Sequence, residues 1–131
     1  MNLFNALKIL SLLLTINLAC ANPPQFDQIS QQQLLQKTVP VQLILDVRTP
    51  EEFSQGHVPG AQNIPYDQVP NRLDEIIKLS GDKNAPIAVY CRSGRRAGKA
   101  LTTLKASGFM KLFHLQGDMN AWQASKLPIE K

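Results

Sequence analysis

The chain has 131 residues and a mass of 14.6 kDa, with 44% hydrophobic and 18% charged residues. This length predicts a single domain. The apolar content is too high, and the charged content too low, for a disordered chain. Two cysteines are too few for a disulfide-dense scaffold and for most cysteine-based zinc sites. The net charge of +4 is mild, and we expect no nucleic-acid partner from it.

The first segment has the order of a secretory signal peptide. Lys8 precedes an apolar stretch over residues 9–18, and the small residues Ala19, Cys20 and Ala21 follow. Polar residues interrupt the stretch, which is shorter than the roughly 20 apolar residues of a spanning helix, so we expect no stable membrane insertion. We predict that residues 1–21 are removed by cleavage after Ala21 and that the chain is exported. The segment is typical of bacterial signal peptides, so the predicted destination is the bacterial periplasm.

Cys20 offers an alternative, a lipoprotein anchored through this cysteine. Asn17, three residues before it, does not fit the Leu-(Ala/Ser)-(Gly/Ala)-Cys pattern of lipoprotein signals, so this is the minor interpretation. After cleavage, residues 22–131 form one domain with one cysteine, Cys91. A lone cysteine in an exported protein has no internal disulfide partner, so it is either buried and inert or a reactive thiol.

Helical and strand patterns alternate along the rest of the chain. Apolar runs predict four strands, at residues 41–47, 61–64, 87–90 and 111–115. Capping boxes and helical spacing predict helices after Ser30 and Thr49, over residues 69–77 with an end near Gly81, over residues 97–104, and around Trp122. This alternation is typical of an α/β fold with a mostly parallel central sheet.

A basic loop follows the strand at residues 87–90. In such sheets, sites form outside the carboxyl ends of the strands. A short loop that enters a helix directs several backbone N–H groups to one point and so forms an anion-binding cradle. The loop in this chain consists of Cys91, Arg92, Ser93, Gly94, Arg95 and Arg96.

The loop predicts nucleophilic chemistry. Gly94 permits a tight turn, and we expect Cys91 to be largely thiolate near neutral pH. The predicted substrate is therefore a small anion with an electrophilic atom that sulfur can attack. The alternative is a buried cysteine at a strand end beside a solvated basic loop.

Three segments, in the same order, resemble motifs of the rhodanese domain. Residues 43–65 (LILDVRTPEEFSQGHVPGAQNIP) are similar to its upstream signature, and residues 91–97 (CRSGRRA) to its active-site loop. Residues 117–122 (GDMNAW) resemble its C-terminal Gly-Gly-x-x-Ala-Trp motif, with Asp118 in place of the second glycine. We take this replacement as tolerated because it is distant from Cys91 in sequence. The resemblance implies a five-stranded, mostly parallel sheet with helices on both faces.

The resemblance also implies a ping-pong sulfur transfer. Cys91 takes the sulfane sulfur of a small anionic donor such as thiosulfate and holds it as a persulfide. A thiophilic acceptor, cyanide or a thiol, then removes it. No metal and no organic cofactor is needed, and the domain is expected to be a monomer.

Three other functions compete with this one. A persulfide carrier would act in a sulfur relay with a protein partner. A cysteine phosphatase or arsenate reductase resembles His-Cys-x5-Arg, but here Tyr90 precedes Cys91 and Ala97 stands at the arginine position. The arginine falls one place earlier, at Arg96, which gives the six-residue loop associated with sulfur substrates. A non-catalytic rhodanese-like module usually lacks the cysteine.

The other candidate residues fall into two groups. For substrate binding we predict Arg92, Ser93, Gly94, Arg95 and Arg96. Arg92 and Arg95 either recruit anionic donors, which we favour, or only solvate the loop. Arg96 has a second possible role, in which it points back and holds the loop against the rest of the domain. We assign structural support to Asp46 and Arg48 as an ion pair and to His57 as a turn residue, and expect structural roles for His114 and Trp122.

Overall fold

The computed structural model describes residues 25–131. The predicted signal peptide, its cleavage site after Ala21 and Cys20 lie outside these residues. The described chain forms five strands, β1 (Asp27–Ile29), β2 (Leu43–Asp46), β3 (Gln62–Asn63), β4 (Ile87–Tyr90) and β5 (Leu112–Leu115). Five α-helices alternate with them: α1 (Gln31–Gln36), α2 (Pro50–Gln55), α3 (Leu73–Ser80), α4 (Arg95–Ala106) and α5 (Asp118–Ala124), with a 3₁₀ helix at Tyr66–Asn71.

The five strands form one sheet in the order β1-β5-β4-β2-β3, and every neighbouring pair is parallel. The predicted α/β fold is therefore confirmed. β4 lies at the centre, and all four of its residues are fully buried, as its continuous apolar run predicts. Because the strands are parallel, their carboxyl ends share one edge of the sheet, where Cys91 follows β4.

The sequence patterns do not predict the edge strand β1. Of its three residues only Ile29 is buried, and Asp27 and Gln28 are exposed. A short edge strand of this kind carries no alternating or continuous apolar pattern, because its pairing with β5 rests on backbone hydrogen bonds.

Two capping boxes fix helix starts as predicted. The Ser30 hydroxyl accepts the N–H of Gln33 at 3.1 Å while the Gln33 side chain accepts the N–H of Ser30 at 2.8 Å. Thr49 and Glu52 exchange the same pair of bonds at 3.2 and 3.3 Å. These bonds satisfy N–H groups that the first turn of a helix leaves without partners.

The predicted continuous helix over residues 69–77 is wrong. Residues up to Asn71 form the 3₁₀ helix, and α3 begins only at Leu73. Pro70 explains the break, because proline has no N–H to donate and keeps the preceding residue out of the α conformation. The apolar spacing still describes burial, since Val69 and Ile76 are both fully buried.

Two apolar clusters hold the helices to the two faces of the sheet. α3 and α4 pack with β2 and β4 on one face, where Leu101 and Leu104 are fully buried. α1 and α5 pack on the other, with Trp122 fully buried and its Nε1–H donating to the Pro128 carbonyl at 2.8 Å. Burial stabilises the fold by about 1.5–3 kcal/mol for each such side chain. Among residues 25–131, no helix combines the length and apolarity needed to cross a membrane.

Candidate active site

Cys91 lies at the carboxyl end of β4, between that strand and the loop into α4. The residue is 1% exposed, and the N–H of Gly94 donates to its Sγ at 3.0 Å. Gly94 has φ +113°, in the region that favours glycine, and directly precedes the first residue of the twelve-residue α4. The sulfur therefore sits beside the amino end of α4, where the helix dipole stabilises negative charge.

The start of α5 clamps the backbone on both sides of this cysteine. The N–H of Met119 donates to the Cys91 carbonyl and the N–H of Asn120 to the Arg92 carbonyl, each at 3.0 Å. The Asp118 carboxylate accepts the N–H of Cys91, also at 3.0 Å. Three hydrogen bonds thus fix the backbone around Cys91 to an element 27 residues further along the chain.

Asp118 and His114 form a pair against the loop. The carboxylate is almost fully buried, and His114 Nε2 lies 2.9 and 3.0 Å from its two oxygens. A Cβ added at Gly94 would lie 3.1 Å from Asp118 Oδ2 and 3.3 Å from His114 Cε1. Asp118 is therefore distant from the thiol in sequence but not in space, and the sequence patterns do not predict its contact with the loop. The available signal was the replacement of a motif glycine by an ionisable residue.

The three arginines of the loop are placed differently. Arg92 and Arg95 are exposed, as is Ser93, whereas Arg96 is half-buried. The guanidinium of Arg96 makes two hydrogen bonds to the Glu52 carboxylate, at 2.6 and 3.0 Å, and this pairing lowers the pKa of Glu52 to about 2. Arg96 therefore ties α4 to α2, and a direct contact of Arg96 with substrate stays a prediction.

Two grooves flank the loop. One, of about 350 Å³, is lined by Arg92 together with Arg48, Glu52, Gln55, Gly56, Met119 and Gln123. The other, of about 340 Å³, is lined by Ser93, Arg95 and Arg96 with Tyr66 and Lys99. A third cavity, of about 470 Å³, lies at the amino ends of β1 and β5 and includes no loop residue. The two flanking grooves are the ones suited to small anions, because arginines line both.

Asp46 and Arg48 form a buried network at the end of β2. Arg48 Nη2 donates to Asp46 Oδ2 at 2.7 Å and to the Gly56 carbonyl at 2.8 Å. The Tyr90 hydroxyl donates to the same Asp46 oxygen at 2.6 Å, and burial raises the pKa of Tyr90. Through Tyr90, which directly precedes Cys91, the network joins the end of β4 to the end of β2 and to Gly56.

His57 is also buried, and it contacts both α2 and the C-terminal residues of the chain. Its ring stacks on Phe53 with the ring centres 3.6 Å apart, and Nδ1 lies 2.9 Å from the Phe53 carbonyl. Nε2 faces Glu130 at 3.7 Å, and the two backbones exchange hydrogen bonds. These contacts join the end of α2 to the C-terminus of the chain. No group of three or more His, Cys, Asp or Glu side chains within residues 25–131 is placed to hold a metal ion.

In a comparison with known protein families, residues 27–125 match the model of the rhodanese-like domain. A protein of Allochromatium vinosum named sulfurtransferase is 36% identical over 80% of this chain and 92% of its own length. Thiosulfate sulfurtransferase 16 of Arabidopsis thaliana is 41% identical over 64% of this chain and 76% of its length. The putative sulfur carrier protein YrkF of Bacillus subtilis is 38% identical, and the match covers 60% of this chain but 40% of that protein.

Solved structures agree on the fold. The rhodanese-like domain of the Alr3790 protein from Anabaena superposes with a TM-score of 0.67 at 28% identity, over 81% of this chain and 80% of that one. The family match covers most of the chain, and the matched residues include all five described strands, the Cys91 loop and the whole of α5. The chain belongs to the rhodanese-like domain family.

Proposed function

We propose that the chain is a thiosulfate sulfurtransferase that carries sulfane sulfur as a persulfide on Cys91. Sulfur transfer in general is supported by relatives that are named sulfurtransferases and a sulfur carrier. The observation that carries the proposal is the Gly94 N–H on Sγ of Cys91, at the amino end of α4. A sulfur atom held this way has a fixed donor for the negative charge that it bears as a thiolate.

The reaction has two half-steps. The Cys91 thiolate attacks the outer sulfur of thiosulfate, a sulfur–sulfur bond forms, and the bond between the two donor sulfurs breaks. Sulfite leaves with that electron pair, and Cys91 becomes a persulfide. Cyanide then attacks the outer sulfur, thiocyanate leaves, and the Cys91 thiolate is restored.

The exposed arginines supply the attraction for the donor. Arg92 and Arg95 line the two grooves that flank the loop, so a doubly charged anion in either groove meets positive charge next to the loop. Because Cys91 itself is 1% exposed, small donors are favoured over bulky ones. The persulfide extends the reactive atom by about 2 Å, the length of a sulfur–sulfur bond, and so brings it closer to an acceptor.

A persulfide carrier is the second candidate, and the relative named a putative sulfur carrier favours it. A carrier would accept sulfur on Cys91 and pass it to a protein partner. Its turnover with small acceptors would be slow. The loading step is shared by the two functions, so only the second half-step separates them.

The experiment measures thiocyanate formation from thiosulfate and cyanide by the protein expressed from the full 131-residue sequence. Cys91→Ala is the inactive control. We expect turnover that the substitution abolishes. A stable sulfur adduct on Cys91 with negligible turnover would favour the carrier instead. Absence of any sulfur uptake would contradict both and return attention to phosphate or arsenate substrates.

We also propose that the protein is exported after cleavage behind Ala21. The order of a lysine, an apolar stretch and small residues at the N-terminus supports this. The N-terminal sequence of the chain recovered from the periplasm of a bacterial host is expected to begin at Asn22. A lipid-modified N-terminus at Cys20, or an uncut chain in the cytoplasm, would contradict it.

A further inference from the structure

Asp118 stands where the motif of the family has a glycine, and its carboxylate makes contacts that glycine cannot. One oxygen accepts the N–H of Cys91, and both lie within 3.0 Å of His114 Nε2. The residue is 2% exposed. Burying a carboxylate costs free energy unless it is paired and hydrogen-bonded, and here every contact lies beside the reactive cysteine.

Building on the proposed function, we propose that Asp118 is a positioning residue for sulfur transfer and that His114 holds it in place. Asp118 acts through the backbone of Cys91 and does not touch the substrate. Its hydrogen bond fixes the peptide between Tyr90 and Cys91 and uses the Cys91 N–H. The N–H of Gly94 is then the group directed at the sulfur, at 3.0 Å.

The geometry makes reactivity sensitive to this bond. Rotation of the peptide before Cys91 would move Sγ relative to the Gly94 N–H and to the amino end of α4. Misplacement of a reacting group by about 1 Å can reduce a rate by about 100-fold. Met119 and Asn120 hold the peptides that follow. The preceding peptide is held at its carbonyl by the Val47 N–H, at 3.0 Å, and the Asp118 bond holds its N–H end.

Two substitutions separate the hydrogen bond from the charge. Asp118→Asn keeps an oxygen for the Cys91 N–H, and its amide can donate to His114 in the neutral tautomer that accepts at Nε2. Asp118→Gly removes the acceptor and restores the residue of the family motif, so we expect it to fold. Both variants lack the same negative charge. The titratable and charged groups that surround Cys91, namely His114, the loop arginines and Glu52, are therefore the same in both variants.

The test measures two rates on the protein expressed from the full sequence: sulfur uptake by Cys91 from excess thiosulfate, followed by intact mass, and alkylation of Cys91 by iodoacetamide. We expect Asp118→Gly to be at least about tenfold slower than Asp118→Asn in both, at temperatures well below either Tm. We expect His114→Ala to load sulfur more slowly than the unsubstituted protein. Equal loading would overturn the part given to His114.

Equal rates for the two Asp118 variants would overturn the inference. In that case the bond serves folding alone. If the unsubstituted protein takes up no sulfur, the proposed function fails. The alkylation rates then still decide the inference, because they require no sulfur donor.

Discussion

At Cys91, two nearby N–H groups point to different acceptors. The N–H of Cys91 donates to a carboxylate, and the N–H of Gly94 donates to the sulfur. Cys91 is thus oriented from both sides, by the amino end of α4 through Gly94 and by α5 through Asp118. We infer that the reactivity of the thiol depends on the backbone of the loop more than on any side chain that faces it.

Gly94→Ala tests the role of that backbone. Alanine disfavours φ +113°, and its Cβ would lie 3.1 Å from Asp118 Oδ2, so the turn has to shift. We expect stability to fall by about 1–3 kcal/mol and sulfur uptake from thiosulfate to slow by about tenfold or more. Chemical denaturation and mass-detected loading measure the two effects.

Gly98→Ala is the matched control. Gly98 lies one turn further along α4, and a Cβ at this position would meet open space, with no neighbouring side chain within 4 Å. Alanine has the higher helix propensity by about 1 kcal/mol, so we expect unchanged or slightly raised stability and unchanged uptake. If Gly94→Ala behaved like this control, the loop backbone would not be what positions the sulfur.

At the scale of elements, the helices converge on the site from different parts of the chain. α4 and α5 both direct their amino ends to the Cys91 loop, and the Arg96–Glu52 pair joins α4 to α2. Glu52 does two things at once, since it also caps α2 through Thr49. An ion pair between α2 and α4 therefore supports the loop in addition to the bonds from α5.

The Glu52–Arg96 pair predicts a pH dependence of stability. The pairing lowers the pKa of Glu52 from its ordinary value of 4.5 to about 2 in the folded state. A lowered pKa stabilises the folded state fully above the unfolded pKa, and this contribution is lost as pH falls through the folded pKa. The Tm difference between the unsubstituted protein and Glu52→Gln is thus expected to be constant above about pH 5 and to vanish towards about pH 2.

Glutamine suits this comparison because it retains an oxygen for the cap, while it removes the charge and the second acceptor for Arg96. Glu75→Gln serves as a control, since Glu75 pairs with Arg72 on the exposed surface of α3, where solvent screens the interaction. We expect a smaller Tm change for it at every pH. A Glu52→Gln difference that persists unchanged at about pH 2 would contradict the pairing.

The elements also differ in how far the sequence specifies them. β4 and the starts of α1 and α2 follow from local patterns, namely a buried apolar run and two capping boxes. β1 and the break at Pro70 did not, because backbone pairing with β5 forms the strand and a proline overrides helical spacing. The contact of Asp118 with Cys91 could not be predicted for a related reason. It depends on where α5 begins in space relative to the end of β4, and no local sequence pattern specifies that position.

At the scale of the whole molecule, charge distribution matters more than the net charge of +4. Two exposed arginines lie at the carboxyl edge of the sheet beside the sulfur, while lysines such as Lys78 and Lys111 lie elsewhere on the surface. An anionic donor is attracted by the local field, which decays over about 10 Å at an ionic strength of about 0.1 M. The benefit of Arg92 and Arg95 is accordingly expected to be greatest at low salt.

Replacing both arginines, Arg92→Gln with Arg95→Gln, tests this field. We expect kcat/KM for thiosulfate to fall by about tenfold at low salt and to depend less on ionic strength. Lys78→Gln with Lys111→Gln removes the same net charge away from the loop and is expected to change kcat/KM by less than about twofold. Equal losses in the two double variants would mean that only net charge counts and that Arg92 and Arg95 do not recruit the donor.

The proposed sulfur transfer requires a persulfide at Cys91, and the most direct measurement is the intact mass of the protein after thiosulfate, with peptide mapping and a cyanide chase. We predict a gain of one sulfur atom, located on Cys91 and absent from Cys91→Ala, that cyanide removes as thiocyanate. A protein that gains no sulfur, or gains it equally in the Cys91→Ala variant, would contradict the persulfide mechanism.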